Sequence, residues 1–456
     1  MTSVRQALVE DLIALVGPAH VVATPEALWT YGYDATLGYR GQPIAAAFPA
    51  TEAQVAALVE LAQRCRVPVL ARGGATSLAA SAVPPDGALV IDTNRLRAVR
   101  RLDIARRMAI VEPGLITRDF RDLVAAHGLF YPPDPSSEAG STLGGNVAAN
   151  AGGPYAFKYG VTRDYVLGLR LALADGSVAA LARPRDSSAI DLIVGSEGTL
   201  GIVTQVTLRL LPAPAAHAVR AVAYADALAA LRAVPGILRG GLTPAKLEYL
   251  DDVTIAALER ARPWGLPRDA GALVLAEMDG DPNEVADATA ALDAVLAQAG
   301  ARVPTGDPEH AQRWWDARRA ITASLARIRP GKIGEDICLP PTQLAGAVDC
   351  IKREAAAREL PVAIFGHVAD GTLHPNVLYD PASRNETERA SAMLAVIAGV
   401  ALAAGGVLSG EHGLGRVKRP FVATAYGPDG LAQMRAIKHG LDRRGLLNPG
   451  AMWPPE

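Results

Sequence analysis

The sequence predicts an α+β fold divided into two or three domains, and three observations point there. At 456 residues the chain exceeds what one ordinary core holds. Helical and strand-like hydrophobic patterns alternate along it, punctuated by glycine clusters. A proline-rich stretch, Pro212 and Pro214 followed by Ala-Ala-His217, interrupts those patterns and marks a domain boundary.

The elements follow in order. Glu52 to Arg66 carries apolar residues at helical spacing, and Val67 to Leu70 behind it has the look of a buried strand. Leu89 to Ile91 and Ala109 to Val111 are further short strands. Leu169 to Leu173 and Ser177 to Leu181 flank Asp175-Gly176, a hairpin turn signal. Ile202 to Leu211 alternates cleanly before the prolines stop it. The middle of the chain mixes longer helical stretches, such as Pro341 to Arg358, with the strands Ala272 to Glu277 and Val362 to Phe365. The last fifty or so residues return to glycine-rich turns and short helices.

Composition excludes several functions. Half the residues are hydrophobic and a fifth charged, a globular balance. The 45 basic and 47 acidic side chains leave a charge of −2, which argues against the basic face a nucleic acid requires. Cys65, Cys338 and Cys350 form no CxxC pair, which fits a reducing compartment and no thiolate zinc site. Acidic residues interrupt the N-terminus, so no signal peptide is expected. Ala390 to Leu408 is uncharged and of membrane length, but alanine-rich and broken by Gly405-Gly406. A buried helix ended by the glycines explains it better than a transmembrane span.

Three glycine-rich loops stand between strands in the first half. Arg72-Gly-Gly-Ala-Thr-Ser-Leu78 follows a strand, and its small residues let consecutive N–H groups converge on a diphosphate. Leu143 to Gly153 and Gly195 to Gly201 are the others. Singly each is turn chemistry; together they point to a large nucleotide. GxGxxG and GxxxxGK[ST] are both absent, so neither a Rossmann fingerprint nor a P-loop supplies that site.

The sharpest signal is Gly366-His-Val-Ala-Asp-Gly-Thr-Leu-His-Pro-Asn376. With Asp370-Gly371 as a two-residue turn, His367 faces His374 with Cβ atoms about 5 Å apart, close enough to share a cation. Asn376 then lies on the same face. A polar surface pair is the alternative. Ser409-Gly-Glu-His-Gly-Leu-Gly415 tips the balance: Glu411 offers a hard oxygen ligand and His412 beside it an imidazole base. In Trp314 to Thr322, Arg318 and Thr322 stand four apart on a helix, suited to capturing a carboxylate, beside tryptophans expected in the core.

These motifs, in this order, resemble the FAD-linked D-lactate dehydrogenase and glycolate oxidase D-subunit family of vanillyl-alcohol oxidase type flavoproteins. The likeness runs from about Leu28 to Trp453 and includes Pro132 to Ser137, Lys158 to Asp164 and Leu447-Asn-Pro-Gly450. It implies an FAD-binding domain of two α+β subdomains at 1–214, an α+β cap with an antiparallel sheet at 215–408, and a C-terminal return at 409–456. FAD would contact Arg72, Gly73, Gly74, Ala75, Thr76, Ser77 and Leu78; Pro133 and Asp134; and Ser141, Thr142, Gly144, Gly145, Asn146, Ala149 and Gly152. Tyr159, Gly160 and Thr162, then Glu197, Gly198, Gly201, Ile202 and Val203, and finally Asn448, complete that set. His367, His374 and Glu411 would hold a zinc- or manganese-like divalent ion. His412 would be the base, with Arg318, Thr322 and Asn376 on the substrate.

The implied reaction is oxidation of a small D-2-hydroxy acid, of the D-lactate or glycolate class, by hydride transfer to flavin N5. Electrons would pass to a quinone, a cytochrome or an electron-transfer flavoprotein. A homodimer and a cytoplasmic or membrane-peripheral location fit the same picture. A non-catalytic flavin-binding subunit of a larger oxidase, or a metallohydrolase, are the rival readings. Ala75, Ala79 and Ala80 stand where the family has glycines or serine, and Ala369 and Thr372 replace glycine and asparagine. The first loop has no histidine or cysteine, so it offers no covalent flavin link. Gly334 stands where relatives acting on 2-hydroxyglutarate carry a lysine, with Lys332 two residues away, which favours a monocarboxylate.

Overall fold

The computed structural model describes residues 2–298, 300, 302–305 and 308–454. The chain divides into two compact units. The first comprises Met1–Gly152, Val161–Ala213 and Glu411–Glu456; the second comprises Gly153–Gly160 and Pro214–Gly410.

The first unit holds two main sheets. One has four strands in the order Val21–Val22, Ala45–Ala47, Leu89–Asp92 and Val69–Arg72, parallel except at its first pair. Helix Glu52–Cys65 covers it, burying Val55, Leu58, Val59 and Leu61 beside Leu89 and Ile91. Its ends have local causes. The Thr51 hydroxyl accepts the Gln54 N–H at 3.2 Å, and Arg66 stops the helix in the left-handed region at φ 55°. The other sheet is antiparallel, in the order Val99–Asp103, Met108–Val111, Ile202–Arg209, Val166–Ala172 and Val178–Ala182. The predicted turn closes its last hairpin: Gly176 sits at φ +83°, and a Cβ there would meet Glu60 Cβ at 2.9 Å.

The second unit is built on an antiparallel sheet. Its order is Arg302–Thr305, Ala216–Tyr224, Ala272–Gly280, Lys246–Asp251, Val362–His367, Thr372–Tyr379 and Gly331–Gly334. Helices cover both faces. Leu231, Leu292, Val348, Ile351, Met393 and Ile397 pack on one side, and Ile255, Leu258, Trp314, Trp315 and Ile321 on the other. The tryptophans are core residues, as expected. The uncharged stretch after Ala390 is the end of helix Arg384–Ala403, which buries Ala390, Met393 and Ile397 and stops before Gly405 at φ +74°. Among the described residues no helix is long and apolar enough to cross a membrane.

Strand periodicity decides where chemistry can sit in this unit. Side chains alternate faces along a strand. Leu247, Tyr249, Ile364, Leu373 and Val377 therefore join one core. Leu250, Ala363, Phe365 and Leu378 join the other. Lys246, Glu248, His367, His374, Asn376 and Lys332 fall in step with the second set. They share one face with the helix Pro308–Ser324.

Candidate active site

The histidine hairpin forms, in a register that differs from the two-residue turn. Strands Val362–His367 and Thr372–Tyr379 pair with Phe365 opposite His374 and Ala363 opposite Asn376. The loop therefore spans 368–371, four residues instead of two. Gly371 sits at φ +88° with Leu339 O only 1.9 Å from where its Cβ would be, packed against the residue that follows strand Ile337–Cys338, and its carbonyl accepts the Leu339 N–H at 3.0 Å. A slip of two preserves faces, because the side-chain period is also two. His367 and His374 become diagonal neighbours, ring centroids 5.1 Å apart and planes at 85°. Both are buried.

Glu248 organises what surrounds them. It lies directly opposite His367 on the next strand. One carboxylate oxygen bonds His367 Nδ1 and the other takes Arg318 Nε, all three groups buried. Burial alone would raise this carboxyl, but the charges and hydrogen bonds of Arg318 and His367 outweigh it and hold the group at about 2. A carboxylate on Nδ1 leaves His367 Nε2 with its lone pair outward, the tautomer a metal ligand needs. Sequence reading missed Glu248. Lys-Leu-Glu-Tyr-Leu-Asp reads as an ordinary strand, and the partner is 119 residues away.

Glu411 joins the pair through the chain that carries it. Val407 N–H donates to Cys338 O at 2.8 Å, Ser409 Oγ to Asp336 Oδ1 at 3.0 Å, and Gly410 packs on Thr372 with no room for a Cβ. The next residue is Glu411. A ring nitrogen of each histidine and a carboxylate oxygen of Glu411 all lie within 4.8 Å of one another. Two imidazoles and a carboxylate are the donor set of zinc- and manganese-type sites. His412 Nε2 lies 3.4 Å from Glu411 Oε1.

Of the other residues singled out for the substrate, Arg318 is buried and Thr322, one turn on, is exposed. Asn376 is buried on the histidine face, its Nδ2 donating to His374 O at 2.9 Å.

The first unit brings its glycine loops together. Gly73 and Gly74 pack so closely on the second loop that Cβ atoms would meet Thr142 Oγ1 at 2.2 Å and Gly140 O at 1.7 Å. These two glycines therefore dock one loop on the other. Among the described residues, no backbone N–H from Gly73 to Leu78 is donated within the chain. Ala75 adopts φ 52°, the left-handed turn that folds successive N–H groups into an anion-binding nest. Ser77 Oγ bonds Ser81 Oγ at 2.7 Å and caps Ala79 N–H. The Arg72 guanidinium, by contrast, is spent on Tyr33 O and Thr30 O.

The second loop is a short helix, Leu143–Ala149, capped by Thr142 Oγ1 on Gly145 N–H. Ser141 and Asn146 hold its flank through Thr117 Oγ1, and Gly144 packs on Pro113. Thr162 Oγ1 donates to Ala151 O at 2.7 Å. Tyr159 and Gly160 belong to the second unit, where Tyr159 OH donates to the buried Asp279 at 2.8 Å and Lys158 pairs with the same carboxylate. Glu197, at φ 52° in the third loop, accepts the N–H groups of Leu414 and Gly415. Burial pushes its carboxyl up to about 7. Asn448 Nδ2 bridges Ser81 O and Glu197 O, which ties the C-terminal segment to the first and third loops.

Comparison with known proteins agrees with both halves. Residues 43–182 match the FAD binding domain family and residues 213–452 the FAD linked oxidases, C-terminal domain. The chain is 36% identical to glycolate oxidase subunit GlcD of Bacillus subtilis over 97% of its own length and 96% of that protein's. It is 29% identical to the mitochondrial D-lactate dehydrogenase [cytochrome] of Arabidopsis thaliana, over 91% and 74%. The fold is that of p-cresol methylhydroxylase, with a TM-score of 0.83, 18% identity and coverage of 99% and 97%. The chain belongs to the FAD-linked oxidoreductases of the glycolate oxidase and D-lactate dehydrogenase family.

Proposed function

We propose that this protein oxidises a small D-2-hydroxy acid of the glycolate and D-lactate class to the 2-oxo acid. The observation that carries the reading is Glu248, one buried carboxylate that sets both a carboxylate-seeking guanidinium and a ligand-type imidazole. Arg318 keeps its terminal nitrogens for the substrate carboxylate, since Glu248 occupies Nε. His367, His374 and Glu411 fit a zinc- or manganese-like dication, which when bound would polarise the 2-hydroxyl as a Lewis acid. Asn376 offers its amide to the hydroxyl side of the substrate. His412 accepts the hydroxyl proton at an imidazole nitrogen. The N–H groups of Gly73 to Leu78 would hold FAD without a covalent link, and the flavin when bound would supply the hydride acceptor. Fixing carboxylate, hydroxyl and C2 hydrogen separately is what makes the reaction stereospecific.

Electrons then pass to a quinone, a cytochrome or an electron-transfer flavoprotein, from a cytoplasmic or membrane-peripheral position. The test is anaerobic titration of the flavin absorbance with D-lactate, L-lactate, glycolate and D-2-hydroxyglutarate. Bleaching by D acids and not by L-lactate is expected. Bleaching by L-lactate, or by none of the four, ends the proposal.

A further inference from the structure

Glu411 and His412 stand on a stretch of chain that is anchored on both sides. Upstream, Ser409 Oγ donates to Asp336 and Gly410 packs on Thr372. Downstream, the anchor is a side chain from the third glycine loop. Glu197 Oε1 accepts the Leu414 N–H at 2.7 Å and the Gly415 N–H at 3.1 Å, while Oε2 accepts the Gly415 N–H at 3.0 Å. The neighbouring glycines are shaped to this contact. A Cβ on Gly413, at φ +84°, would stand 2.5 Å from Glu197 Oε1, and one on Gly415 would stand 1.8 Å from Ala79 O.

Glu197 is itself held firmly. Its N–H donates to Ala148 O at 2.8 Å in the second loop, and its carbonyl accepts Asn448 Nδ2 at 2.8 Å. Two features argue that the carboxylate is kept for what it binds. The backbone there is left-handed at φ 52°, where glycine would sit without strain, yet the position carries a long side chain. The carboxyl is also buried, and burial pushes it up to about 7, so an acid is unfavourable here apart from its hydrogen bonds. Leu414 and Gly415 are buried too, and without Glu197 their N–H groups would lose the acceptor they have.

We infer that Glu197 is a positioning residue for the oxidation: by clamping the backbone of Leu414 and Gly415 it fixes where Glu411 delivers its carboxylate and His412 its imidazole. This rests on the reading of the site as a 2-hydroxy acid oxidase with Glu411 as a ligand and His412 as the base. It goes beyond the FAD contact expected for Glu197, because both carboxylate oxygens are committed to the chain that follows His412. A displacement of about 1 Å in a reacting group costs roughly 10²-fold in rate, so a clamp two residues from the base has leverage on turnover.

The experiment compares FAD-loaded wild type with Glu197→Ala, Glu197→Asp and Glu197→Gln. Alanine removes the carboxylate, aspartate keeps the charge but loses the reach, and glutamine keeps the reach and one acceptor oxygen but loses the charge. Dissociation constants for zinc and manganese ions are measured by competition with a chelating dye. The limiting rate of flavin reduction by glycolate and D-lactate is measured at saturating ion. The alanine and aspartate variants should bind either ion roughly 10- to 100-fold more weakly. They should also lose roughly 10²-fold in limiting rate at saturating ion, since His412 is displaced with Glu411. Glutamine should restore both to within a few-fold of wild type. Unchanged ion affinity and limiting rate in the alanine and aspartate variants, with only the thermal midpoint lowered, would show a merely structural role and overturn the inference. An aspartate variant that matches wild type while glutamine fails would overturn it too, because charge and not reach would then govern. If neither acid bleaches the flavin, the oxidase reading fails while the ion affinities still decide the role of Glu197. If wild type holds no ion, the limiting rate decides it through His412. Aspartate tolerates left-handed backbone, so that variant carries the test should alanine fail to fold.

Discussion

Glu248 and His367 face each other across two neighbouring strands and share a hydrogen bond at Nδ1, while the far oxygen of Glu248 carries Arg318. Removing the carboxylate strips two buried partners at once. Glu248→Ala should cost about 3–5 kcal/mol, because Arg318 is left as an uncompensated buried charge. Urea unfolding measures it, and an unchanged midpoint would show that Arg318 finds other support. Glu248→Gln keeps the volume, so its loss should appear mainly as divalent-ion affinity weaker by roughly 10- to 100-fold.

His374→Ala and Glu411→Gln should each lower the bound zinc or manganese measured by elemental analysis, with turnover falling in step. His367→Ala should be rescued poorly by added cation. Full activity in protein stripped of divalent ions would remove the Lewis-acid role altogether.

His412→Ala should reduce turnover by roughly 10²–10⁴-fold while the visible flavin spectrum stays intact. Stopped-flow reduction of the flavin is the direct measurement. An unchanged rate there means another group takes the proton.

Ala75 pays for its left-handed backbone at φ 52°, a conformation that costs L-residues about 1 kcal/mol. Ala75→Gly should raise stability by up to about 1 kcal/mol, and Ala75→Val should lower it further than alanine does. Thermal unfolding of the two variants compares the signs, and a glycine variant less stable than wild type contradicts the strain argument.

Burial raises the Glu197 carboxyl from its ordinary 4.5 to about 7. The unfolded chain then gives up this proton first as pH rises. Its stabilising contribution is complete below pH 4.5 and is lost between 4.5 and 7, by about 3 kcal/mol. Glu197→Gln mimics the protonated form and should flatten the urea midpoint across that window. A slope identical to wild type would mean another group titrates there.

Much of this was legible in the sequence, and the rest follows a physical pattern. Glu52–Cys65, the Asp175-Gly176 hairpin and Ile202–Arg209 are local: a helix cap, a turn glycine and a two-residue alternation declare them within a few positions. The histidine hairpin was found with its register two residues out, and its Gly371 packs on Leu339, a contact that no local pattern announces. Glu248 went unread because it sits in no motif. It gains meaning from strands that topology alone makes adjacent. The glycines of the first loop showed that a close approach was needed, but not that it was to Gly140 and Thr142.

Eight residues, Gly153–Gly160, leave the first unit to fold with the second. They bring Lys158 and Tyr159 to Asp279, and Tyr155 to Glu277. Excising Pro214–Gly410 as a fragment would strand the interior carboxylate of Asp279 without its cation. The polypeptide is therefore stitched: limited proteolysis near Ala213 and Gly410 should leave a nicked but associated protein, and recombination between relatives should succeed only when that short insert travels with the segment it serves.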